Sequence, residues 1–195
     1  MALRHPFERW PRNHRKPALW VVGILAALPI PLTYTLRPLR EDESGGHDIV
    51  AFEFAGSVQR ANEILATWRA AGVEQMAKYI QLADIVYPVV YAAALAGCAI
   101  AAGHALRRAG ADRVGAVAPT IAWVAFAAAV FDYVENIGLT IALWHRPVEA
   151  WPLVSSIAAA LKFFCTAVTI LYALCGLAAW IKRIAGAGEL TTETT

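Results

Sequence analysis

Residues 116–143 read AVAPTIAWVAFAAAVFDYVENIGLTIAL, and this run decides the fold. As an α-helix it is about 42 Å long, which is enough to cross a bilayer with some tilt. Its second half carries Asp132, Glu135 and Asn136 at helical spacing, so the three polar side chains share one face. An acid inside a membrane costs roughly 2.5–3.5 kcal/mol on insertion scales. That face is therefore expected to turn toward other helices and away from lipid.

The composition of the rest of the chain agrees with a small integral membrane protein. Of 195 residues, 58% are hydrophobic and only 16% are charged. The net charge of +2 is too small to suggest a nucleic-acid partner. The three cysteines lie in apolar stretches and show no disulfide framework or metal-ligand spacing. No cofactor and no metal site are predicted.

The apolar runs predict an all-α fold, an integral membrane four-helix bundle that forms a single membrane domain over residues 1–195. Its spans are expected at about residues 18–36, 79–102, 116–143 and 151–181. The first run follows a basic stretch but lacks a small-x-small cleavage site, so it is interpreted as a retained span. The second span is expected to continue a helix that begins at Val73.

Residues 37–78 form the only sizeable polar segment, and it is predicted to be extracytoplasmic. Residues 49–54 are expected to be extended. Ser57 is a candidate N-cap for an amphipathic helix that Gly72 ends, with Trp68 on its apolar stripe. The helix either lies on the bundle or membrane surface, or covers a site as a lid.

The distribution of basic residues predicts the orientation of the bundle. The N-terminal stretch, the loop between the second and third spans and the C-terminal stretch carry more Lys and Arg than the opposite side. The positive-inside rule then places both termini in the cytoplasm. Trp20 and Trp180 would mark the inner interface, and Trp144 and Trp151 the outer one.

Polar residues from three predicted spans fall in one layer of the membrane. Measured inward from the outer ends of their spans, Asp84, Glu135 and Lys162 lie at roughly 8, 12 and 17 Å. Lys162 is expected to pair with Glu135 or Asp132, because an unpaired ammonium at this depth would be costly. The candidates for a polar, ligand-binding pocket are Asp84, Tyr87, Tyr91, Asp132, Glu135, Asn136, Ser155 and Lys162.

Two other interpretations of this layer stay open. The polar groups could serve only as contacts between helices, worth about 0.6 kcal/mol each on average. A metal site built on Asp84, Asp132 and Glu135 is less favoured, because Lys162 competes for the same carboxylates and no histidine lies at their depth.

Several short motifs resemble a group of bacterial four-span membrane proteins of unknown function. The resemblance covers about residues 48–165, and its most specific part is the D-x-x-E-N block at residues 132–136. The other matching pieces are Phe54-Ala55-Gly56-Ser57, Ile64-Leu65, Trp68, Leu82-Ala83-Asp84, Tyr87-Pro88, Tyr91, Ser155 and Lys162-Phe163. The resemblance implies a four-span architecture and a membrane location, and supplies no activity. The bacterial inner membrane is the expected location.

The function expected from these residues is recognition of a small amphipathic or lipid-like ligand within the bilayer. Asp132, Glu135 and Asn136 would provide polar contacts, with Lys162 as counter-ion. One alternative is an enzyme that uses a protonated and an ionised carboxyl as an acid–base pair. Another is a structural or accessory subunit in which the polar layer fixes helix register. The sequence predicts neither the ligand nor the oligomeric state.

Overall fold

The computed structural model describes residues 45–146, 148 and 150–192, without the side chains of residue 83 and residues 186–192. The predicted first span and the interface residue Trp20 lie outside the described residues. Every regular element in the described part is a helix, which agrees with the predicted all-α class. The helices are α1 (Ile49–Glu53), α2 (Val58–Ala70), α3 (Glu74–Ala83), α4 (Tyr87–Arg108), α5 (Asp112–Ala116), α6 (Ala118–Trp144) and α7 (Trp151–Thr192).

Three of the described helices are long and apolar enough to cross a membrane. They are α4, α6 and the part of α7 that covers Trp151–Ala185. Large apolar side chains remain uncovered on α7, where Phe164 is 67% and Leu171 62% exposed. Such surface is costly in water but is the natural covering of a helix in lipid. The fold is therefore that of a helical membrane protein.

The predicted second span is interrupted near its beginning. Helix α3 ends at Ala83, a turn follows, and α4 begins only at Tyr87, so the expectation of one continuous helix from Val73 is wrong. Pro88 explains the break, because a proline lacks the N–H of a helix bond and disfavours helical geometry in the preceding residue. The Tyr133 hydroxyl donates to the backbone carbonyl of Ile85 at 2.8 Å and satisfies one group of the turn.

Residues 49–53 are helical and Phe54 caps the helix in a turn, so the prediction that residues 49–54 are extended is also wrong. The side chain of Asp48 accepts a hydrogen bond of 2.7 Å from the backbone N–H of Ala51 and caps α1. An N-cap of this kind satisfies a backbone donor that would otherwise lack a partner. The local cap thus outweighs the strand preference of Ile49 and Val50.

Helix α2 begins and ends as predicted. The Ser57 hydroxyl accepts a hydrogen bond from the N–H of Arg60 at 3.2 Å. At the other end Gly72 has a φ of +75°, a left-handed conformation that suits glycine. The N–H of the next residue, Val73, reaches back to the carbonyl of Trp68 at 2.9 Å, which completes a Schellman-type C-cap.

The chain falls into two compact units. The unit named here the Glu135 unit consists of the described residues up to Tyr91 together with Ala127–Phe164. Its apolar core joins α1, α2 and α3 to the C-terminal part of α6. The buried members are Ile49, Phe52, Ala61, Ile64, Leu65, Trp68, Ala77, Ile80, Leu139, Ala142 and Leu143.

The second unit, named here the Cys98 unit, contains Ala92–Phe126 and the chain from Cys165 onward. Small residues let its helices approach closely. A Cβ atom added to Gly176 would overlap the backbone of Ala102, so only glycine is accommodated there. The Tyr172 hydroxyl donates to the carbonyl of Val114 at 2.9 Å. Close packing of small residues and interhelical hydrogen bonds are typical of membrane helices.

Candidate functional site

The centre of the Glu135 unit is a lysine surrounded by carboxylates. The Lys162 Nζ atom lies 2.7 Å from Glu135 Oε2, 3.5 Å from Asp132 Oδ1 and 3.6 Å from Glu53 Oε2. The predicted ion pair of Lys162 is therefore present, with Glu135 as its nearest partner. We use the name carboxylate cluster for Glu53, Asp84, Asp132 and Glu135 together with Lys162.

Asn136 connects a fourth carboxyl group to this centre. Its Nδ2 donates to Asp84 Oδ2 at 3.1 Å and approaches Asp132 Oδ1 at 3.4 Å. Its Oδ1 accepts a hydrogen bond of 2.9 Å from the Gln81 amide. The three elements that meet here are α3, the turn after it and α6, so the break before α4 is what brings Asp84 to Asn136.

Glu135 is the most enclosed of the carboxyl groups. Its side chain is completely buried, and its Oε1 atom has no hydrogen-bond partner among the described residues. Glu53 Oε2 is likewise buried, and at 3.6 Å from the ammonium it is too far for a hydrogen bond. A buried acceptor without a donor costs about 1–3 kcal/mol, so these oxygens need an explanation.

Contacts of the end of α1 and the residues after it with α7 hold Glu53 at the cluster. The Ser156 hydroxyl has one proton and faces two backbone carbonyls, that of Glu53 at 2.9 Å and that of Pro152 in its own helix at 2.8 Å. The backbone N–H of Gly56 donates to the same hydroxyl at 2.9 Å. The rings of Phe54 and Phe163 stack with their centroids 5.9 Å apart. The segment that follows α1 is thus bound to the helix that carries Lys162.

Burial controls the protonation of the two carboxyl groups that lie outside the long apolar helices. It raises the pKa of Glu53, and the charge of Lys162 opposes that shift. It also raises the pKa of Asp84 to about 7, with the negative charge of Asp132 acting in the same direction and the Asn136 hydrogen bond against it. Asp84 therefore changes charge near neutral pH.

The remaining predicted site residues lie beside the cluster rather than in its centre. The rings of Tyr87 and Tyr91 are 5.5 Å apart, and Tyr91 is buried next to the Asp132 carboxyl group. Ser155 is buried, but its hydroxyl contacts the backbone carbonyl of Glu135, at 3.4 Å, rather than the Glu135 carboxylate. The two tyrosines border the cluster, whereas Ser155 contacts the backbone of α6.

Sequence reasoning missed Glu53 and Gln81. Glu53 lay in a segment expected to be extended, and only the capping position of Asp48 indicates the short helix that turns it inward. Gln81 stands three residues before Asp84, so both can face the same side of one helical turn. An uncharged amide in an apolar run is a weaker signal than a charge, although it too is costly to bury without a partner.

Among the residues that the structure describes, no group of His, Cys, Asp and Glu side chains is arranged to hold a metal ion. Instead, the Lys162 ammonium lies between the carboxylates. Comparison with protein-family models, with curated proteins and with solved structures finds no match for this chain. The resemblance to bacterial four-span proteins therefore stays a prediction.

Proposed function

We propose that the protein is a four-span protein of the bacterial inner membrane that recognises a small amphipathic or lipid-like ligand at the carboxylate cluster. Three long apolar helices support the membrane location, and the apolar run at residues 18–36 would supply the fourth span. Ligand contacts would come from Asp132, Glu135 and Asn136. Lys162 would act as the internal counter-ion.

The observation that carries the proposal is the Glu135 carboxyl group. A cluster that served only to hold helices together would be expected to pair its buried polar atoms with one another. Yet Glu135 Oε1 is enclosed with no fixed donor among the described residues, since the neighbouring Glu53 carboxyl group can donate only when protonated. It also lies next to an ammonium that faces three carboxylates. A donor from a bound molecule would satisfy this oxygen.

Ligand recognition can be tested on the full chain purified in mild detergent. We expect native mass spectrometry to show a bound small molecule that survives purification of the wild type and is lost from Glu135→Gln. The matched control is Glu63→Gln, because Glu63 is an exposed acid of α2 that pairs with Arg60 at 3.2 Å. This control should retain the molecule. A structural role would be indicated instead if neither wild type nor control carried one.

The proposed orientation places both termini in the cytoplasm and α2 on the opposite side of the membrane. The reason is that more Lys and Arg residues lie near the termini and in the loop between the second and third spans, and such residues favour the cytoplasmic side. In a background with the three native cysteines changed to alanine, Asn62→Cys should react with a membrane-impermeant maleimide in intact cells. Ala109→Cys should react only after permeabilisation. Both positions are exposed, so access to reagent depends on the side of the membrane. The reverse pattern would show that the orientation is inverted.

A further inference from the structure

The charges of the carboxylate cluster do not balance. Four carboxyl groups are joined through Lys162 and Asn136, and within the described residues Lys162 is the only cation paired with any of them. If all were ionised, the cluster would carry a net charge of −3. Uncompensated charge of this size is expensive away from water, so protons or another cation must offset it.

The contacts of Lys162 argue against an anionic headgroup. An ammonium has three donors, and this one already faces three carboxylates within 3.6 Å. A phosphate or carboxylate would compete with them and would add charge of the same sign as the excess. A neutral hydroxyl could donate to Glu135 Oε1 but would leave the charge unchanged.

A proton would offset only part of the excess negative charge of the cluster. The carboxyl groups of Glu53 and Glu135 interact with each other beside Lys162, so one proton between them would supply a donor and remove one negative charge. Negative charge remains on the other acids. A group with a positive charge and N–H donors would offset this remaining negative charge and would also donate to Glu135 Oε1.

We propose that the headgroup recognised by the carboxylate cluster is a primary or secondary ammonium of an amphipathic amine, held by Glu135 and the neighbouring carboxylates. This inference rests on the proposed ligand-binding function and specifies its ligand class. The ammonium donates to Glu135 Oε1 while its charge offsets the acidic excess. Tyr87 and Tyr91, whose rings lie 5.5 Å apart at the border of the cluster, offer π-faces of the kind that attract cations.

Protons compete with such a ligand for the same carboxylates. The titratable groups that border the site from every element around it are Glu53, Asp84, Tyr87, Tyr91, Asp132, Glu135 and Lys162. Because burial raises the pKa of Asp84 to about 7, that group loses its proton between mildly acidic and mildly basic conditions. Binding of an amine that stays charged throughout should therefore strengthen as the pH rises.

The test compares four amphiphiles with the same dodecyl chain at equal mole fraction in detergent, using the thermal unfolding of the full chain. They are dodecylammonium, dodecyltrimethylammonium, dodecanol and dodecanoate. At near-saturating ligand we expect dodecylammonium to raise the Tm by about 5 °C or more. The other three should give smaller shifts, since each lacks either the charge or the N–H donors.

Two variants and one change of pH identify the site. Glu135→Gln should lose most of the dodecylammonium shift, while Glu63→Gln should keep it. The wild-type shift should be larger at about pH 8 than at about pH 6, because protons leave the acids. If Glu135→Gln does not fold, Asp84→Asn replaces it and should reduce the shift in the same way.

The outcomes separate the inference from the function on which it rests. Equal shifts with dodecanol and dodecylammonium, lost in Glu135→Gln, would retain ligand binding and overturn the ammonium headgroup. An equal shift with dodecyltrimethylammonium, or no dependence on pH, would also overturn it. If none of the four amphiphiles shifts the Tm and no molecule is retained on purification, both proposals fail.

Discussion

Replacing Lys162 with methionine is expected to lower the free energy of unfolding by about 3–5 kcal/mol, because breaking a buried ion pair leaves its partners without a counter-charge. Lys162 faces three carboxylates at 2.7–3.6 Å, so the loss falls on several groups at once. Reversible unfolding of the purified protein in mixed micelles measures this loss in the free energy of unfolding. The matched control is Lys78→Met, which removes a partly exposed pair with Glu74 at 3.1 Å and should cost about 0–1 kcal/mol.

A double-mutant cycle identifies the main partner of Lys162. Adding Glu135→Gln to Lys162→Met should restore part of the lost stability, because the double change removes both buried charges and nearly conserves shape. The same cycle with Asp132→Asn should give a smaller coupling, since its oxygen lies 3.5 Å from Nζ and that of Glu135 lies 2.7 Å away. Purely additive losses in both cycles would contradict the arrangement of the carboxylate cluster.

Trp68 lies in the apolar core of the Glu135 unit, and its truncation should lower the free energy of unfolding about as much as Lys162→Met does. Trp68 is completely buried, its ring lies 5.0 Å from that of Phe52, and its indole N–H donates to the carbonyl of His47 at 2.7 Å. Trp68→Ala should therefore cost about 3–5 kcal/mol and make residues 45–73 sensitive to limited proteolysis. Unchanged proteolysis would show that α2 is not docked through this side chain.

Two further variants separate the ring of Trp68 from its hydrogen bond. Trp68→Phe keeps an aromatic ring in the core and removes the indole N–H, which leaves the His47 carbonyl without that donor. It should cost roughly 1–3 kcal/mol. Trp123→Ala is the control for removing a tryptophan from a partly exposed position, since Trp123 is 40% exposed. If this control lost as much stability as Trp68→Ala, the cost of Trp68→Ala would not be due to the burial of its side chain.

The ion pair could be predicted from the sequence because few arrangements satisfy charges inside an apolar helix. Lys162 and Glu135 lie in long apolar runs at similar depth, and each would be costly alone, so pairing follows from elementary electrostatics. The same reasoning could not reach Glu53, which lies in a polar segment where no cost constrains its position. Its approach depends on the contact of its backbone with Ser156, about a hundred residues away in the sequence.

The broken helix before α4 shows a second limit. Pro88 indicated a local release of backbone bonding, but hydropathy across residues 79–102 favoured one unbroken span. The turn becomes stable because Tyr133 donates to the carbonyl of Ile85 and Asn136 donates to Asp84. Both donors come from another helix, so no local pattern near residue 84 contains them.

The composition of the carboxylate cluster also has a consequence for biosynthesis. Asp132 and Glu135 leave the ribosome in α6, whereas their counter-charge Lys162 follows only in α7. Each of these acids costs roughly 2.5–3.5 kcal/mol to insert alone, so α6 enters the bilayer at a disadvantage that α7 removes. A nascent chain truncated before α7 should therefore be held longer at the insertion machinery or be degraded. Helix α7 thus completes the cluster and supports the stable integration of α6.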